Sequence, residues 1–385
     1  MKKLYSSIVM LSMCALALTS CGDDDDPVPA PTPNPTPSDT IPTPSPVSVT
    51  EGVFIIGSGN TRATIDGNVT AFDYATGTHT LNAFQAANGR SLGLNANDAV
   101  VYGSKMYIIV TKENTVEVVD KKTMRSIKQI KTTDLMGEDK GKQPRHATTY
   151  NGQVLLSTYD GYVAAIDTTD YHLAQTYQAG SYPEGLAVIG NTLYVANSDY
   201  GKNQNASISK IDLTTGTSTQ LKDALITNPV SFAVVGNTLY FLDSGTYDAA
   251  YNQSGAGVRK LEGNKVTYVT DATMMSAYGS KIYVYNAPYS SVNPVTPTYG
   301  VYDTTKGTLT HFTCPDVKSP AAIAVDPVKD YLFVASYNTD PETGYTSYKT
   351  NGYVVVYKSD MTKLYQFETG VGPTAIVFNK SVIYE

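Results

Sequence analysis

The chain has 385 residues, 41% of them hydrophobic, with 28 basic and 35 acidic side chains, three cysteines and no tryptophan. Its formal net charge of −7, without a basic patch, argues against a nucleic-acid partner. So few cysteines rule out a disulfide-stapled scaffold, so a core must hold the fold together.

In chain order, the first segment is MKKLYSSIVMLSMCALALTSC. Two lysines, a short apolar run and small residues before Cys21 are the layout of a signal peptide over residues 1–20, too short to span a bilayer. The ending Leu18-Thr19-Ser20-Cys21 resembles the bacterial lipobox, which implies that Cys21 is acylated and becomes the mature N-terminus; the alternative is an ordinary signal peptide with a chance cysteine. Lipid there would anchor the chain, each buried methylene contributing roughly 0.8 kcal/mol. Asp23 to Asp26 follow at once. This run resembles the Bacteroidetes lipoprotein export signal and implies the outer face of the outer membrane; the alternative is a solvated spacer. Residues 27–46 contain nine prolines among small polar residues, which favours an extended, unfolded tether over residues 21–50. Without Lys2, Lys3 and the five aspartates ahead of residue 51, the remaining domain, 51–385, carries 26 basic and 30 acidic side chains.

That domain repeats itself. VIGNTLYVANS from Val188 and VVGNTLYFLDS from Val234 match each other, as do VYGSKMYIIVT from Val101 and AYGSKIYVYNA from Ala277. Each copy reads as an apolar strand, a tight glycine turn and a second β-branched, tyrosine-rich strand. A third strand of one type follows, as in GYVAAIDTTD and ASISKIDLTTG, and then a more polar fourth. No segment shows sustained helical periodicity. Four antiparallel strands repeating about every 45 residues are the signature of an all-β propeller, and the third strands count seven blades. Six or eight is the rival count, because the first and fifth blades are irregular. EGVFIIGSGN opens the domain with a second strand lacking a first, and GPTAIVFNKSVIYE ends the chain with a spare first strand. Pairing the N- and C-terminal strands closes the ring and removes its edges.

Loops between second and third strands are long, whereas first-to-second turns are short, which selects the working face. Tyr200, Tyr247, Tyr251, Tyr289, Tyr337, Tyr345 and Tyr348 lie in the long loops, with Tyr159 and Tyr182 nearby. A tyrosine joins a rigid apolar ring to a polar tip, a composition suited to ligand binding; the alternative is that a tyrosine-rich chain merely samples its own composition there. Arg145 and His146 should enter the central channel at the start of a first strand, and Arg62 is a second candidate on the same rim. An arginine there can hold a phosphate or carboxylate, or it can satisfy carbonyls of the channel. The four histidines, His79, His146, His172 and His311, share no metal-ligand spacing, and no GxSxG elbow occurs. No catalytic residue, metal or cofactor is therefore expected.

The strand pairs Pro183 to Ser198, Asn228 to Phe241 and Ser319 to Ala335 resemble the YncE-like seven-bladed propellers. Together with LTSCGDDDD and the proline tether, the chain resembles the surface propeller lipoproteins of Bacteroidetes. The resemblance implies capture of cobalamin (vitamin B12) as a transported ligand, transfer to a TonB-dependent outer-membrane transporter, and contact with the membrane through the lipid alone. Two other readings stay open: a scaffold binding a polypeptide, and a channel-centred hydrolase or lyase.

Overall fold

The computed structural model describes residues 46–290 and 295–384. The signal peptide, Cys21, the acidic run and the proline-rich segment up to residue 45 lie outside the described residues.

Seven four-stranded antiparallel sheets follow one another along the chain. Their inner strands are Pro373–Tyr384 for blade 1, Ala96–Tyr102 for blade 2, Pro144–Tyr150 for blade 3 and Pro183–Ile189 for blade 4. Blades 5, 6 and 7 supply Pro229–Val235, Met274–Tyr278 and Ser319–Val325. Each inner strand touches the next, and the seventh touches the first, so the ring is closed and the count is seven. Blade 1 draws its inner strand from the C-terminus and its second, Pro46–Gly57, from the start of the domain, as the two chain ends suggested.

The alternating strand pattern explains the core. In the second strand of blade 1, Val53 and Ile55 pack with Phe333, Ala335, Val354 and Val356 of blade 7. Phe54 and Ile56 pack the other way, with Met106, Ile108 and Val110 of blade 2. A strand buried on both faces needs a continuous apolar run, which is what GVFIIG supplies. Phe333 is fully buried at the closing seam, with its ring 5.4 Å from that of Phe378.

Two details differ from the sequence reading. Pro46 to Thr50 pair with Tyr384 to Lys380, so these residues, given above to the tether, are strand. The proline-rich composition around Pro46 concealed the β-branched alternation of Val47 and Val49. Two short helices also occur, Ala83–Asn88 and Thr132–Met136, each under two turns and so too short to leave a periodicity. The recurring aspartate that ends the third strands has a local role. Asp73, Asp120, Asp167, Asp212 and Asp303 each accept the backbone N–H of a threonine two or three residues ahead, at 2.6 to 3.0 Å. The aspartate-to-threonine spacing of the repeat is thus turn chemistry, and these backbone donors hold the carboxyls below their usual range.

Candidate functional site: the loop face

The antiparallel order places the second-to-third loops and the blade-to-blade connections at one end of the ring. At that end the inner strands of blades 1, 2, 3, 4, 5 and 7 each carry a β-bulge near their first residue, beside Pro373, Ala96, Pro144, Pro183, Pro229 and Pro320. A bulge re-aims side chains away from the pleat. Here it presents Asn97 and Asp98 from blade 2, Arg145 and His146 from blade 3, and Glu184 from blade 4.

These five form one network. Arg145 Nε donates to Glu184 Oε2 at 2.9 Å and Nη1 to Asn97 Oδ1 at 2.9 Å. His146 Nδ1 lies 3.1 Å from Asp98 Oδ2, and its Nε2 lies 3.5 Å from Glu184 Oε2. The Tyr159 hydroxyl donates to Glu184 Oε1 in a short hydrogen bond, and the Arg145 guanidinium sits 4.7 Å from the centre of the Tyr159 ring. Glu184 is only 7% exposed. Burial would raise its pKa, but His146 and Arg145 outweigh that and hold it low. Burial likewise pulls His146 down, and the bonds to Asp98 and Glu184 more than reverse this, raising it to about 9. Two cations therefore face two carboxylates. An imidazolium has no lone pair with which to accept a proton, and a carboxylate held low is a poor general acid at neutral pH. What this network does best is fix Tyr159.

Tyr159 in turn anchors two further rings. Its centroid lies 5.2 Å from Tyr182 and 6.0 Å from Tyr200, both edge-on, while Tyr182 and Tyr200 lie 5.2 Å apart. Lys202 Nζ stands 5.3 Å over Tyr182. Tyr182, Asp199 and Tyr200 all have left-handed backbone, with φ of 51°, 52° and 54°, a conformation costing of order 1–3 kcal/mol per residue. Asp199 compensates by accepting from Ser181 Oγ at 2.7 Å and from the backbone of Gln204 and Asn205. The loop is strained, and a buried carboxylate clamps it.

The other sequence candidates form two more groups. In blade 5 the loop folds into a small hairpin, Thr246–Tyr247 against Gln253–Ser254. It reaches the blade 6 loop, where the backbone N–H of Gln253 donates to the Tyr289 carbonyl at 2.8 Å and the Tyr289 N–H donates to Gln253 Oε1 at 3.1 Å. In blade 7 the Tyr337 and Tyr348 rings meet edge-on at 4.9 Å. Asn60 Nδ2 of blade 1 donates to the Tyr348 carbonyl at 2.8 Å, placing Arg62 beside them in a cleft of about 430 Å³. Tyr200, Tyr247, Tyr251, Tyr289, Tyr345 and Tyr348 are 46% to 78% exposed; Tyr159, Tyr182 and Tyr337 are half-buried. All nine candidate tyrosines thus lie at the loop end, in three neighbouring groups.

The sequence singled out none of Asn97, Asp98 and Glu184 as site residues. The signal was positional: Asn97 and Glu184 follow the first residue of an inner strand, as Arg145 does, and Asp98 comes one residue later, as His146 does. Among the described residues, Asp167, Asp170 and His172 bring ligand atoms within 4.8 Å of one another. They sit in a turn at the opposite end, where Asp167 is engaged by backbone donors.

No family model matches the chain, and no curated protein matches it. Solved structures do. A structure described as a putative 6-phosphogluconolactonase from Bacteroides uniformis aligns at a TM-score of 0.57 and 13% identity, covering 86% of this chain and 100% of that one. A chain of hydrazine synthase from Kuenenia stuttgartiensis gives 0.55 at 15%, covering 75% and 95%. A protein from Lactobacillus plantarum gives 0.52 at 14%, covering 87% and 100%. The chain is a seven-bladed β-propeller. At these identities the likeness of this propeller to its neighbours is one of fold alone.

Proposed function

We propose that the propeller is a non-catalytic capture protein whose loop face binds a large amphipathic ligand, cobalamin or a related corrinoid, and delivers it to a TonB-dependent outer-membrane transporter. The observation that carries this reading is the set of six exposed tyrosines on loops of blades 4 to 7, all at one end of the ring. Exposed rings on pinned backbone lose little freedom when a ligand arrives, which favours affinity. The choice of corrinoid, the transporter, the lipid on Cys21 and the position outside the outer membrane rest on the resemblance drawn from the sequence. The charged state of His146 and the low pKa of Glu184 count against a hydrolase or lyase centred on this network.

Titration calorimetry of the purified full chain with cyanocobalamin tests the reading. Binding at micromolar concentrations with a change in the corrinoid spectrum is expected. No heat and no spectral change would remove cobalamin, and capture of a polypeptide without corrinoid would favour the scaffold reading instead.

A further inference from the structure

Several cations of the loop face are already engaged. Arg145 and His146 are matched by Glu184 and Asp98, and Lys202 lies over the Tyr182 ring. In the cleft between blades 7 and 1, by contrast, the guanidinium of Arg62 and the ammonium of Lys349 have no hydrogen bond, ion pair or ring contact among the described residues.

We propose that this cleft is an oxyanion subsite, taking a phosphate or carboxylate borne on an aromatic or otherwise flat apolar body. The proposal deepens the capture reading and rests on it. Both cations stand on backbone that is already fixed. Arg62 lies between Asn60 and Ile65, which are bridged to each other, and Asn60 Oδ1 also accepts the Ala63 N–H at 3.0 Å. Lys349 follows Tyr348, whose carbonyl is held by Asn60, and Ser347, whose N–H donates to the Asn338 carbonyl at 2.8 Å. A hydroxyl pair, Ser319 and Thr346 at 2.7 Å, ties the same loop to the inner strand of blade 7. One carboxylate, Asp340, lines the cleft. Its Oδ1 accepts the N–H groups of Glu342 and Thr343 at 2.9 and 3.1 Å, so it is turned toward its own loop. Two unmatched cations thus face one engaged anion.

The body of the ligand is indicated by the wall. The Tyr348 ring, supported edge-on by Tyr337 and 57% exposed, offers a face for stacking. Guanidinium and ammonium groups gain most from an oxyanion, where the hydrogen bonds are charge-assisted. The sequence reading offered Arg145 and Arg62 equally as anion ligands. The structure separates them, because Arg145 is already paired.

Phenyl phosphate, benzoate and inorganic phosphate, titrated into the full chain and followed by NMR, test the subsite. Wild type should bind phenyl phosphate or benzoate, the stronger of the two identifying the oxyanion. R62Q/K349Q should weaken that binding by about tenfold or more while leaving the thermal midpoint unchanged, because neither side chain has a partner among the described residues. Y348A should weaken phenyl phosphate but not inorganic phosphate. Equal binding by wild type and R62Q/K349Q, or no binding of either aromatic anion by wild type, would overturn the subsite. Cyanocobalamin titrated into the same proteins separates the two readings. Corrinoid binding without an Arg62-dependent anion site leaves the capture reading standing alone; an Arg62-dependent anion site without corrinoid binding leaves the subsite standing alone.

Discussion

The charge network under Tyr159 gives the protein a pH dependence that can be worked out in advance. His146 has its folded pKa raised from 6.5 to about 9 by Asp98 and Glu184. The stabilisation it contributes is therefore complete below about pH 6.5 and is lost as pH climbs through about 9. At 1.36 kcal/mol for each pH unit, the rise corresponds to roughly 3 kcal/mol. The side chain is 30% exposed, so water screens the contact and about 2 kcal/mol is the working figure. Urea unfolding of wild type and H146Q at about pH 6 and about pH 10 measures it, because ionisations elsewhere act on both proteins alike. Wild type should lose about 2 kcal/mol more than H146Q across this interval. An identical loss in the two proteins would refute the argument that His146 is held charged between Asp98 and Glu184.

Three further outcomes follow from the geometry. Phe333→Ala, at a fully buried site on the closing seam, should cost about 3–5 kcal/mol in denaturant unfolding. Lowering the pH should destabilise the ring progressively below about pH 4, because the turn aspartates have depressed pKa values and that of Asp303 is lowered to about 2. Far-UV circular dichroism from neutral pH downward follows that loss, and a fold indifferent to acid would contradict it. Gly245→Ala should disorder the blade 5 hairpin, since φ there is +67° and a Cβ would meet the Ser254 carbonyl oxygen at 2.0 Å; chymotryptic cleavage at Tyr247 and Tyr251 no faster than in wild type would count against this.

How much of this could be read from residues alone depends on range. The blades were legible because a strand, its turn and the next strand are local: Gly190 and Gly236 mark turns with φ near 60°, and period-2 alternation marks the strands they join. Closure was legible too, since GVFIIG needed a partner that only the last strand could supply. The partnership of Arg145 was not. Its partners lie 48 residues before it and 39 after it, one blade away on either side, and they become neighbours only when the repeats are laid over one another. The left-handed strain at Tyr182 and Tyr200 was hidden for a related reason. Nothing in S-Y-P or S-D-Y-G demands φ > 0 at a tyrosine; Asp199 and its three donors impose it from the other side of the loop.

The seam of blade 1 carries a practical consequence. Pro46 stands directly across from Tyr384, within about 6 Å in an antiparallel pair, and both lie at the end away from the tyrosine loops. With residues 1–45 removed, a few glycines would join Tyr384 to Pro46 in a continuous hairpin, and a cut at Gly190-Asn191 or Gly236-Asn237 would then give a circular permutant with its recognition loops untouched. The same placement suits immobilisation. A sensor chip coupled through the C-terminus would leave the aromatic rim turned toward the analyte.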